Sequence, residues 1–113
     1  MAFNAINPVK LGSGEAAITP LLTTYRTTPS LSRDIVKSMD IAHNGASVAT
    51  VSVYLVPAGD VAGVDNILVP EITLKPKSIF QWTGTQVVND GDTIQAQASV
   101  AGVCLHISGG EAI

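Results

Sequence analysis

Besides its methionines, three side chains in this 113-residue chain are soft enough to hold a transition metal: His43, His106 and Cys104. Cys104 and His106 stand two residues apart, which puts both on one face of a strand. Zinc takes three or four such ligands, and no second cluster with ligand spacing occurs. The expectation is no metal site, with the cysteine and the histidines packed or edge-facing. A lone cysteine also excludes an internal disulfide and any paired-cysteine redox motif.

Other chemistries meet the same shortage. Asp90 and Asp92 flank Gly91, but the twelve-residue calcium loop with its terminal Glu is absent, so tight-turn chemistry accounts for both carboxylates. Gly12-Ser13-Gly14 lacks the third glycine of a dinucleotide fingerprint and the Gly-Lys-Ser/Thr of a phosphate loop. A hydrolase would place one of the two histidines beside a serine and an acid, and no Gly-x-Ser-x-Gly elbow is present. The expectation is a protein with no catalytic residues and no cofactor.

Aromatic residues are few: Phe3, Tyr25, Tyr54, Phe80 and Trp82. They are too scattered for the stacking platform of a single-strand nucleic-acid binder. An exposed Trp82 and Tyr54 could stack on a sugar, which keeps a carbohydrate-binding reading open. Core packing is expected for one of Phe80 and Trp82 but not for both.

The elements that position these residues read as strands. Val, Ile and Thr make up 33 residues, and β-branched side chains suit a pleated surface better than a helix. Three Glu, four Lys and two Arg cannot dress the polar faces of several amphipathic helices. Beyond Pro20, turn signals recur every 8–12 residues, the spacing of a sandwich or barrel. Ala49, Val51, Val53 and Leu55 alternate with Thr50, Ser52 and Tyr54, so Val51, Val53 and Leu55 are expected on the buried face of a central strand. Ile94, Ala96 and Ala98 alternate with Gln95, Gln97 and Ser99, and Val103, Leu105 and Ile107 share one face. Arg33 to His43 places Ile35, Met39 and Ile41 together, with Lys37 discordant. Leu21 to Thr27 is the first good strand. Residues 1–20 are broken by Pro8, Gly12, Gly14 and Pro20 and are expected to form an extended arm outside the fold. The predicted fold is all-β: a single antiparallel β-sandwich, jelly-roll or immunoglobulin-like, of about eight short strands over 21–113, with that N-terminal arm.

Composition speaks to the surface. Charged residues are 13%, about half the share of an average soluble chain, and the net charge is −3. An acidic balance argues against a phosphate-backbone partner, and no apolar run approaches the ~18 residues of a membrane-spanning helix. Met1 to Pro8 lack a basic segment followed by an apolar one, so use without passage through a secretory route is expected. A domain this small leaves roughly a third of its chain surface outside the fold. Six basic and nine acidic residues cannot cover it, so exposed apolar patches, the mark of interfaces, are expected.

The stretch from Thr23 onward resembles a family of small virion proteins of tailed bacteriophages. The resemblance is carried by Thr23-Thr24-Tyr25-Arg26-Thr27, by Asn44-Gly45 leading to a strand that ends Val56-Pro57-Ala58-Gly59, and by Gly91-Asp92-Thr93-Ile94 with the small residues that follow. The final strand through Ser108-Gly109-Gly110 completes it. After Tyr25 the family pattern has a Pro-Ala-Gly turn, where Pro29-Ser30-Leu31 stands here. The resemblance implies a β-sandwich module placed on the phage particle, without catalytic residues.

The functional expectation is a capsid decoration or cement protein that binds between capsomers and stabilises the shell, located on the virion after assembly in the host cytoplasm. A neck, tail or head-fibre component is the first alternative, and a carbohydrate-binding module the second. Its partners are expected to be the major capsid protein or another virion protein and further copies of itself, a trimer by preference, with no nucleic acid and no membrane. Phe3, Ile6, Tyr54 and Trp82 are the candidate interface residues.

Overall fold

A computed structural model describes residues 6–112. These form nine strands: β1 (Ile6–Glu15), β2 (Ala17–Ile18), β3 (Thr23–Thr27), β4 (Arg33–His43), β5 (Ala49–Val56), β6 (Ile67–Leu74), β7 (Ser78–Val88), β8 (Thr93–Ala98) and β9 (Val103–Ala112). One sheet has the order β1-β9-β4-β7. The other runs β2-β8-β5-β6, with β3 also pairing along β8.

The pairings nest. Antiparallel ladders join β1 to β9, β3 to β8, β4 to β7 and β5 to β6. The chain is thus one long antiparallel ribbon folded over itself, and β4–β9 and β5–β8 ladders seal the two sheets. A ribbon wrapped into two sheets in this order is a jelly roll. The expectation of an all-β antiparallel sandwich holds, and strand order selects between its two topologies.

Period two builds the core. Val103, Leu105 and Ile107 on β9 face inward with Met39 and Ile41 on β4. Against them stand Val51 and Val53 on β5 and Ile94 with the smaller Ala96 and Ala98 on β8. Bulky side chains from one sheet stand opposite alanines from the other, which lets the two sheets approach closely. Leu55 keeps the expected face but is only half-buried.

Four expectations need correction. Residues 6–18 are not an arm outside the sandwich: β1 pairs with β9 over its whole length, and Leu11 and Ala16 are core residues. The gap between the edge strands is closed by Tyr25 of β3, whose approach Gly12 permits, because a Cβ there would sit 2.7 Å from that of Tyr25. Next, Ile35 does not share a face with Met39 and Ile41. Both ladders of β4 shift register between Val36 and Ser38, and this bulge at Lys37 turns Val36 inward and Ile35 outward. Leu21 and Leu22 are exposed turn residues, and the strand begins at Thr23. Finally, Phe80 and Trp82 both pack half-buried against the core. They oppose Ile41 and Met39 on β4, as residues two apart on one strand must. β6 runs through Pro70 and β7 through Gly84.

Candidate interaction surfaces

Several of the polar side chains singled out by the sequence are held by contacts within the protein. His43 is buried; its Nδ1 accepts from the Gly45 N–H at 3.3 Å and its Nε2 faces the Ser47 carbonyl, so the imidazole holds the loop that follows β4. Asp92 accepts from the Ala58 N–H at 2.9 Å and from the Asn89 N–H at 3.1 Å, tying two loops at the opposite end. The Gly14 carbonyl accepts from the Tyr25 hydroxyl at 3.0 Å. Burial pushes the Tyr25 phenol up, and the neighbouring Cys104 and Glu15 push it further.

One polar cluster joins the sheets. Arg26 on β3 donates to Asp34 on β4 through Nε at 2.7 Å and Nη2 at 2.9 Å, and to Glu111 on β9 at 2.9 Å. The Thr28 hydroxyl donates to the same Asp34 at 2.8 Å. The Asp34 side chain is 0% exposed. Its hydrogen bonds, first among several causes, raise the Arg26 pKa further above its already high value. Sequence reasoning missed this cluster, because Arg26, Asp34 and Glu111 meet only through the sheet pairing.

Cys104 and His106 do share the outer face of β9, the first half-buried and the second exposed. Among the described residues, no three His, Cys, Asp or Glu side chains are grouped to hold a metal ion. Tyr54 and Trp82 lie apart. Tyr54 is half-buried on β5, where its hydroxyl accepts from Gln97 Nε2 at 3.3 Å, whereas Trp82 packs from β7 of the other sheet onto the core. Phe3 lies outside the described residues, and so does the side chain of Ile6.

Apolar surface gathers elsewhere. Leu21, Leu22, Ile18 and Val48 are exposed at the end of the sandwich that carries the loops after β2 and β4. At the other end Val64 is 90% exposed, Val61 81% and Leu31 67%. On the outer face of the first sheet, Pro8, Ile35, Lys37, Gly109 and Gly110 line a groove of about 290 Å³. Gly110 pairs with both Pro8 and Ile35, and its missing side chain makes the floor. Ile79 and Val87 are exposed along β7. Sequence composition pointed to such patches; which residues form them follows from the fold.

No protein-family model matches the chain, and no curated protein does. Among solved structures, a chain from the structure of infectious bursal disease virus, Gx strain, is similar, with a TM-score of 0.49 at 11% identity. The similarity covers 96% of this chain and 32% of that one, so the chain spans about a third of that protein's length.

Proposed function

We propose that this protein is a structural component of a virus particle, a decoration or cement protein that binds between capsomers of a tailed-phage shell and stabilises it. The observation that carries the reading is the exposure of large apolar side chains at both ends of the sandwich, Val61, Val64 and Leu31 at one and Leu21 at the other. Loops of this kind on a rigid β scaffold suit contact with neighbouring subunits better than contact with water. The use of His43, Asp92 and Arg26 to hold loops and sheets together supports a binding role over a catalytic one. A jelly roll hosts many functions, so the reading rests on its surface and on the sequence resemblance.

The test is the purified particle. Hundreds of copies per virion, with shells that open at lower temperature when the protein is removed and recover on add-back, are expected. A dozen copies or fewer would move it to the neck, tail or fibre, and absence from particles would end the proposal. The carbohydrate-binding alternative asks for Tyr54 and Trp82 on one surface, and they lie on different sheets.

A further inference from the structure

Each sheet edge exposes a row of backbone N–H and C=O groups that can template another strand, so sequences guard their edges with prolines, charges, bulges or cover. Three of the four edges here carry a proline or a charge. β1 carries Pro8, Lys10 and a bulge, and Tyr25 lies against it. β6 carries Pro70 and is broken in register beside Glu71, whose φ is +39°. The remaining edge of that sheet is divided between the two-residue β2 and the short β3, which carries Arg26. β7 is different. It has eleven residues, Ser-Ile-Phe-Gln-Trp-Thr-Gly-Thr-Gln-Val-Val, with no proline and no charge; its one guard is a bulge where Gly84 and Thr85 stand opposite Lys37, and among the described residues it pairs only with β4.

We propose that β7 is the seam of a two-fold dimer, in which the β7 strands of two copies pair antiparallel about Thr83. The sequence of β7 is complementary to itself in this register. Thr83 faces Thr83 of the second copy, and Gln81 faces Thr85. Ile79 and Val87, the two large apolar side chains that β7 leaves exposed, face each other on the outer surface. On the inner surface Trp82 faces Gly84. That glycine already lies beside its own Trp82 ring, where a Cβ would come within 3.1 Å, so two indoles and two glycines share one space. An aromatic ring over a cross-strand glycine supports an edge that the glycine alone would weaken.

Charge agrees with this direction. Lys75 and Lys77 precede β7, and Asp90 follows it. The antiparallel register carries Asp90 of one copy to the position of Pro76 in the other, between the two lysines. Parallel pairing would set lysines against lysines. Lys37 stays one strand back, donating to Thr85 Oγ1 at 3.1 Å. Because each copy uses the same patch, the contact closes at two chains. It therefore yields a dimer where sequence composition suggested a trimer. The pairing does not depend on the particle reading, and the isolated chain tests it.

Sedimentation equilibrium should show a species of twice the 11.6 kDa chain mass. Thr83→Lys sets two like charges against each other on the two-fold axis and should return the protein to monomer, whereas Thr50→Lys, exposed on β5, should leave the dimer intact. Circular dichroism checks that both variants fold. Thr83→Cys in a Cys104→Ser background should cross-link into a dimer on mild oxidation, and Thr50→Cys in the same background should not. A monomer at every concentration, an oligomer that Thr83→Lys leaves unchanged, or no Thr83→Cys cross-link would each overturn the proposal.

Discussion

Arg26 and Asp34 hold the two sheets together: the guanidinium on β3 donates twice to a fully buried carboxylate on β4, at 2.7 and 2.9 Å. Removing the arginine strands that carboxylate without its cation. Arg26→Met should therefore cost about 3–5 kcal/mol, measured by urea denaturation, whereas Arg26→Met with Asp34→Leu should recover much of the loss. A single-variant loss below 1 kcal/mol, of the order of a surface ion pair, would show that the cluster does not join the sheets.

Tyr25 predicts an alkaline limit. Its phenol is pushed above the ordinary value near 10, first by burial, so the folded state keeps a proton that the unfolded chain gives up. The stabilisation from that proton is whole below about pH 10 and is lost as pH rises from there toward the folded pKa. Stability measured from pH 9 upward should fall, and Tyr25→Phe should flatten the slope while losing the hydrogen bond to Gly14. An unchanged slope in Tyr25→Phe would assign the alkaline loss to other groups.

β1 belongs to the sandwich, and truncation should show it. Leu11 is 2% exposed, and Leu11→Ala should cost about 2–5 kcal/mol by leaving a cavity. Deleting residues 2–18 removes a whole edge strand with its ladder to β9 and should abolish the cooperative thermal transition. A truncated chain melting within a few degrees of the full protein would restore the arm.

Gly109 is a steric requirement. A Cβ there would sit 1.8 Å from the Ile35 carbonyl oxygen, a backbone atom that cannot swing aside. Gly109→Ala should cost about 3 kcal/mol or more and disturb the β4–β9 ladder. Gly63→Ala is a control for simple backbone effects, since open space surrounds its Cβ position and its φ is outside the left-handed region. Equal losses in the two variants would exclude the clash as the cause.

Strand identity and facing were legible wherever a strand alternates without interruption and has one face in the core. β5, β8 and β9 meet both conditions, and the side chains expected inside are inside, with Leu55 half-covered near the end of its strand. Hydrophobic alternation carries that information because burial acts on each side chain locally. It says nothing about which strand lies alongside, so jelly-roll and immunoglobulin-like order had to be separated by the pairings themselves. Two local devices also hid the truth. The bulge at Lys37 reverses the phase of β4, so a strict period-two reading put Ile35 on the wrong face. β1 looks structureless because its glycines contribute no apolar side chains, and Tyr25 from β3 covers that edge instead. The Arg26–Asp34–Glu111 cluster and the proline-free, uncharged edge at β7 share that origin. The residues were there to be read from the start, but cross-strand partnership exists only once distant segments are paired.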